Sequence, residues 1–136
     1  MPEDIHLFHS ALRQHLPDTR IITEPDHVAK LSKDHYWLSP ILEKRLADHH
    51  AQLVVTPHDQ AELQTAVRLA FKYGIPITPR GRGTGNYGQS VPLQAGVLLD
   101  TSHLTSIFGV EGAAIHAEAG ANFVDLEEVA RSVGKE

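Results

Sequence analysis

Residues Pro79 to Ser90 read Pro79-Arg80-Gly81-Arg82-Gly83-Thr84-Gly85-Asn86-Tyr87-Gly88-Gln89-Ser90, which places four of the chain's ten glycines in one short segment. The segment follows an apolar run and carries little to bury, so its assets are bare backbone N–H groups and two arginines. Glycine lets the main chain adopt positive φ and approach a ligand closely, and successive amides of this kind form an anion-binding concavity. The plain alternative is a surface turn punctuated by glycine.

The flanks restrict the loop further. Leu53-Val54-Val55 is a short β-branched strand, and Thr56-Pro57-His58-Asp59 reads as a helix start with Thr56 as cap and a proline in the first turn. Leu63, Ala66, Val67, Ala70 and Phe71 then share a helical face, Gly74 stands at the expected C-terminal cap, and Ile75-Pro76-Ile77-Thr78 is a second strand. This strand–helix–strand order predicts parallel pairing. Downstream, Gly96 to Asp100 and Ala113 to Glu118 read as strands joined by a turn-rich stretch around Gly109 and Gly112. Asn122 caps a last helix with Leu126, Val129, Ala130 and Val133 on its inner face.

The N-terminal part is less regular. Ile5, Phe8, Leu12 and Leu16 fit one amphipathic helix ended by Pro17, and Ile41 to Ala47 suits a short helix, whereas Pro25, Pro40 and Ser32-Lys33-Asp34-His35 interrupt the pattern. Tyr36 and Trp37 are expected to anchor this segment to the core.

Two familiar phosphate loops match by letter and fail by context. Gly83-Thr84-Gly85-Asn86-Tyr87-Gly88 satisfies the Gly-x-Gly-x-x-Gly dinucleotide fingerprint, which must open a helix. Here Pro92 follows closely and the next strand ends at Asp100, leaving no room for a crossover of about a dozen residues. Gly83 to Ser90 also approximates the nucleotide-triphosphate loop, but Gln89 stands where that loop has lysine, and a neutral amide cannot supply its charge.

The succession Val54-Val55-Thr56-Pro57, helix, Gly74-Ile75-Pro76-Ile77, Pro79-Arg80-Gly81-x-Gly83-Thr84-Gly85-x-x-Gly88 and Gly96-Val97-Leu98-Leu99-Asp100 resembles the start of the FAD-binding domain of FAD-linked oxidases. This is the vanillyl-alcohol-oxidase or PCMH type, nearest the branch that holds the flavin subunit of glycolate oxidase and D-lactate dehydrogenase. The likeness runs over about residues 51 to 134, and Asp34 resembles an acid that often precedes the domain.

The resemblance implies an α/β (α+β) first lobe, a small mostly parallel sheet flanked by helices. It would span 51–136, with an N-terminal helical extension over 1–50. It further implies that Arg80, Gly81, Arg82, Gly83, Thr84, Gly85, Asn86, Gly88 and Gln89 wrap the FAD pyrophosphate, mostly through main-chain N–H groups. Some members tether flavin through a histidine where Thr84 stands, so FAD is expected to be noncovalent. A second lobe and a substrate domain follow in the family. Their absence after Glu136 suggests a truncated product, a fragment or part of a split enzyme, with catalytic residues not assignable. The expected function is the FAD-binding portion of a flavin-dependent oxidoreductase acting on a 2-hydroxy acid or similar alcohol. Alternatives are a noncatalytic remnant or split part that needs a partner chain, and a nucleotide-binding module without redox chemistry.

Composition excludes other classes. A net charge of −5 with scattered basic residues argues against a nucleic-acid surface, and the absence of cysteine removes thiol chemistry and cysteine-based metal sites. No basic leader or membrane-length apolar run is present, so a cytoplasmic protein is expected. Ten histidines invite a metal reading, but His6 with His9, and His49 with His50, lack a third ligand and read as surface residues. His103 and His116 lie near strand positions where they could face a flavin or simply be hydrogen-bonded, and Tyr87 could stack on a ligand or be exposed.

Overall fold

The computed structural model describes residues 3 to 135. Helix α1 (Glu3–Arg13) leads through a short turn to β1 (Ile21–Ile22), α2 (Pro25–Leu31) and α3 (Pro40–Leu46). Strand β2 (Leu53–Val55), helix α4 (Gln60–Lys72), β3 (Ile77–Arg80) and β4 (Val97–Asp100) follow. The hairpin strands β5 (Ile107–Glu111) and β6 (Ala114–Ala117) and helix α5 (Phe123–Ser132) complete the chain.

Four strands form one sheet in the order β1-β2-β4-β3, with β2 and β3 both parallel to β4 and β1 antiparallel to β2. The two strands expected to be partners are thus separated by the strand that comes after the glycine segment. Apolar content explains this: every residue of β2 and β4 is buried, as suits central strands covered on both faces. Strand β3 carries Pro79, which cannot donate to a ladder, and takes the edge.

Alternation divides the core in two. Leu53, Val55, Val97 and Leu99 pack with Ile5, Phe8, Leu12, Ala66, Leu69 and Ala70 from α1 and α4. Val54 and Leu98 point to the opposite face, against Val28 of α2 and Ala51. Each fully buried Val, Leu, Ile or Phe among them stabilises the fold by about 1.5 to 3 kcal/mol in transfer terms.

Local signals account for the ends of α4, though not with the residue expected at its start. Asp59, not Thr56, is the N-cap: its carboxylate accepts from the Glu62 amide at 2.8 Å, and Glu62 Oε2 accepts from the His58 amide at 2.8 Å. At the other end Gly74 has φ +63°, and the Ile75 amide donates to Ala70 and the Gly74 amide to Phe71. This closes the helix in a Schellman motif. The inner face is Ala66, Leu69 and Ala70, with Leu63 and Tyr73 partly buried, whereas Phe71 is 88% exposed and Val67 faces outward.

The N-terminal reading also needs correction. Pro25 and Pro40 do not interrupt structure but open α2 and α3, where the missing N–H is harmless. Glu24 caps α2 through the amides of Asp26 and His27. Trp37 is no anchor, being 92% exposed. The stretch around Gly109 is not a connecting turn: Gly109 lies within β5, and the hairpin turns at Gly112. None of the α5 residues is fully buried; Leu126, Val129 and Ala130 are partly covered and Val133 is exposed. No helix among the described residues is long and apolar enough to cross a membrane.

Phe8→Ala is expected to cost about 3 to 5 kcal/mol, since it empties a fully buried site. Phe71→Ala is expected to stay within about 0.5 kcal/mol. Urea unfolding of both variants checks the pair, and equal effects would contradict the assignment of the α4 inner face.

Candidate functional site

The glycine segment leaves the C-terminal end of β3 and returns to β4, so it stands over the ends of the parallel strands, where open α/β sheets bind ligands. Its base is held by an ion pair. Arg80 and Asp100 are in register at the ends of β3 and β4, and Arg80 Nη1 lies 3.2 Å from Asp100 Oδ2, with side chains only 13% and 5% exposed. Asp100 Oδ1 accepts from the Ser102 amide at 2.9 Å, and the Arg80 carbonyl accepts from the Thr101 amide and hydroxyl.

The Arg80 guanidinium lies against the loop it supports. Gly83 has φ +66°, and a Cβ there would overlap the Arg80 guanidinium. At Gly85 a Cβ would come within 2.8 Å of Asp34 Oδ2 and 2.7 Å of Gln89 Oε1. The N-terminal segment fastens the loop from outside, the His35 amide donating to the Gly85 carbonyl at 2.9 Å. Tyr36, whose hydroxyl pKa is raised by burial and by the nearby Asp34 and Glu43 carboxylates, packs close to Gly88.

A cleft of about 400 Å³ lies between this loop and the β6–α5 connection. Arg80, Gly81, Arg82, Gly83, Thr84, Gly85 and Gln89 line it, together with Asp34 and Ser90. Asn86 and Gly88 are not brought to its wall, and Gln89 uses its side-chain oxygen to accept from the Tyr87 amide at 3.1 Å. Tyr87 is exposed. Among the described residues, the amides from Arg82 through Asn86 donate to no protein acceptor. Arg80 Nε and Ser90 Oγ are likewise buried without a partner. Such a run of free donors on a glycine-contoured wall suits a diphosphate, and the residues present therefore fit an anionic nucleotide.

Sequence reasoning missed the opposite wall. Ala119, Ala121, Asn122 and Phe123 close the cleft, and Phe123 presents a ring that is 84% exposed. Gly120 permits this approach, because its amide donates to the Leu104 carbonyl at 2.8 Å and a Cβ would overlap the Thr101 carbonyl. Ser90 lies within the glycine segment, and its hydroxyl carries no signal by itself. His116 is not in the cleft; its Nε2 lies 3.5 Å from Glu111 Oε2 across the hairpin. His103 stacks on His58 with ring centroids 4.2 Å apart. No group of three or more potential metal ligands occurs among the described residues.

Known proteins share both the sequence pattern and the fold. The sequence model of a family described as FAD binding domain matches residues 51–135. A D-lactate dehydrogenase of Archaeoglobus fulgidus is 32% identical over 68 residues, covering 50% of this chain and 15% of that protein. Glycolate oxidase subunit GlcD of Escherichia coli is 28% identical over 100 residues, covering 74% of this chain and 18% of that protein. The chain thus spans under a fifth of either relative. Among solved structures, p-cresol methylhydroxylase with substrate bound superposes with a TM-score of 0.77 at 19% identity, over 98% of this chain and 25% of that one. This likeness establishes the mixed α/β fold with its mostly parallel sheet.

Asp100→Ala is expected to destabilise the chain by about 3 kcal/mol, because it leaves the Arg80 charge buried and unpaired. Chemical denaturation measures this, and a loss below about 0.5 kcal/mol would show that the pair does not hold the loop base.

Proposed function

The chain belongs to the FAD binding domain family, and on that premise we propose that it forms one lobe of a flavin-dependent oxidoreductase acting on a 2-hydroxy acid or similar alcohol. The observation that carries the placement of the cofactor is the run of unpartnered amides from Arg82 to Gly85, residues that line the cleft, beside the buried Arg80 guanidinium. In this reading those amides and Arg80 hold the FAD diphosphate, and Thr84 adds a hydroxyl donor. Gly83 and Gly85 keep the approach clear, while Asn86, Gly88 and Gln89 shape the loop. The lobe is taken as residues 51–136, with 1–50 as an extension that adds β1 to the sheet and lays α1 on the core.

Support for the substrate class comes from the D-lactate and glycolate enzymes, both named for 2-hydroxy acids. The chemistry supplied by FAD when bound is acceptance of a hydride from the substrate carbon. This chain's residues bind and orient the nucleotide. The groups that take the substrate proton are assigned to the parts of the relatives that this chain does not match. With threonine rather than histidine at position 84 the loop offers the flavin no imidazole nitrogen, and this reading takes the flavin as noncovalently held. A cytoplasmic location remains part of this proposal.

A second reading is a noncatalytic or split part that binds FAD only with a completing chain. Helix α5 favours it, since none of its residues is fully buried and Phe123 and Val124 are exposed.

Titration of the chain with FAD, followed by flavin fluorescence, separates the two. Saturable binding supports the first reading. No binding at high micromolar FAD would overturn it for this polypeptide alone. Gly83→Val is expected to weaken binding at least about 100-fold, the loss of roughly two charge-assisted hydrogen bonds, and unchanged affinity would refute the loop assignment. Acid denaturation of the complex is expected to release all flavin to the supernatant; flavin retained on the polypeptide would contradict noncovalent binding.

A further inference from the structure

Arg80, Arg82 and Thr84 form a wall with two sides. One faces the glycine cleft, and the other faces a second cleft of about 740 Å³ beyond the ends of β2 and β4. That second cleft lies outside the diphosphate cradle, and its other walls come from different elements. They include the turn before β1, α2, the β2–α4 connection and the turn after β4.

Its polar groups are heavily weighted to donors. Arg20, His27, His58 and His103 face it together with Arg82, and Thr56 and Ser102 add hydroxyls. The carboxylates nearby are already engaged. Asp100 uses one oxygen for the Ser102 amide and the other for Arg80. Glu62 Oε2 accepts from Arg20 at 3.1 Å and from the His58 amide at 2.8 Å, and Asp59 is committed to the α4 cap. Once these pairs are counted, Arg82 remains a guanidinium without a carboxylate partner among the described residues. Three imidazoles share its cleft. In a chain of net charge −5 this is a local reversal of sign, and a concave surface of one sign concentrates counter-ions.

The histidine pair gives the site its character. The His58 and His103 rings stack at 4.2 Å with an interplanar angle of 23°. The His58 pKa is lowered by partial desolvation first, then by the positive charge of Arg20 and by His103, against opposing contributions from Glu62 and Asp59. Two cationic rings at that separation repel unless an anion lies beside them. We propose that this second cleft is a binding site for a small oxoanion, held by Arg82 and the stacked His58–His103 pair, distinct from the diphosphate cradle and sharing only its wall.

The pH dependence has a definite sign. The facing groups are Arg20 with Glu62, Arg80 with Asp100, Arg82, His27, His58, His103 and the capping Asp59. Of these, His58 is the group whose pKa its surroundings displace, downward, by desolvation first and then by the charge of Arg20 and by His103. An anion bound beside the ring opposes that depression and raises the His58 pKa, so binding is coupled to proton uptake. Affinity for an anion of fixed charge therefore rises as pH falls from about 8 to 5.5.

The test is a titration of the 136-residue chain with sodium sulfate at constant ionic strength, monitored by NMR of the histidine rings. The expected result is saturable shifts of the His58 and His103 signals, with affinity at least about 10-fold tighter at about pH 5.5 than at 8. His103→Gln and His58→Gln, both at exposed positions, are each expected to abolish the saturable shift while leaving FAD affinity unchanged. Lactate in place of sulfate separates a carboxylate site from one for a tetrahedral oxoanion; the tighter of the two names the ligand class. Linear, unsaturable shifts with both anions, or saturable shifts confined to other residues, would overturn the proposal. FAD binding is measured on the same samples. Loss of FAD affinity with retained sulfate binding would refute the flavin reading alone, and the reverse would refute only this site.

Discussion

The loop architecture depends on one buried ion pair. Arg80 is the last residue of an edge strand and Asp100 the last of the central strand beside it, and their register places the two side chains together. Both loops of functional interest leave from these two residues. With Asp100 satisfied on both oxygens and the Arg80 carbonyl accepting from Thr101, the strand ends are fixed to each other before either loop begins. A buried charge pair costs desolvation and is poor evidence of net stability by itself. Its value here is positional: it sets a guanidinium beside Gly83 and leaves Arg80 Nε without a protein partner.

The order of the strands makes that placement inevitable. Val97-Leu98-Leu99 has no residue suited to solvent, so β4 must lie between two neighbours and beneath helices on both faces. Inserting it between β2 and β3 obliges the chain after β3 to loop out and return in the same direction. The connection from Gly81 to Gly96 makes this return without a helix. A helical crossover would have covered the loop amides; a glycine-rich one leaves them free. The same absence of a helix that excludes the dinucleotide motif therefore also produces the donor-rich surface.

Legibility in the sequence follows the range of the interaction. The glycine segment, the Gly74 terminus and the Asn122 cap are readable because each is settled within a few residues. Pro25 and Pro40 mislead because a proline that breaks a helix and one that starts a helix look alike until the preceding cap is recognised, here Glu24 and Ser39. Strand β1 is two residues long and exists only through its pairing with Val54 and Val55, a contact no local pattern announces. Phe123 enters the cleft wall through tertiary approach, and Trp37 does not reach the core although its size suggests that it should.

A wall that serves two clefts also constrains what either side can become. Arg80 and Arg82 alternate with Gly81 and Gly83; the glycines line only the glycine cleft, whereas both arginines border both. Charge added on one side raises the potential on the other, since side chains common to both clefts lie within one Debye length of either, about 8 Å at physiological salt. Glu62 and Asp100 offset this by neutralising Arg20 and Arg80, which leaves Arg82 and the histidines as the adjustable part of the field. Replacing Glu62 would remove the partner of Arg20 and the acceptor for the His58 amide together. The start of α4, the histidine stack and the charge of the wall are thus linked through a single carboxylate.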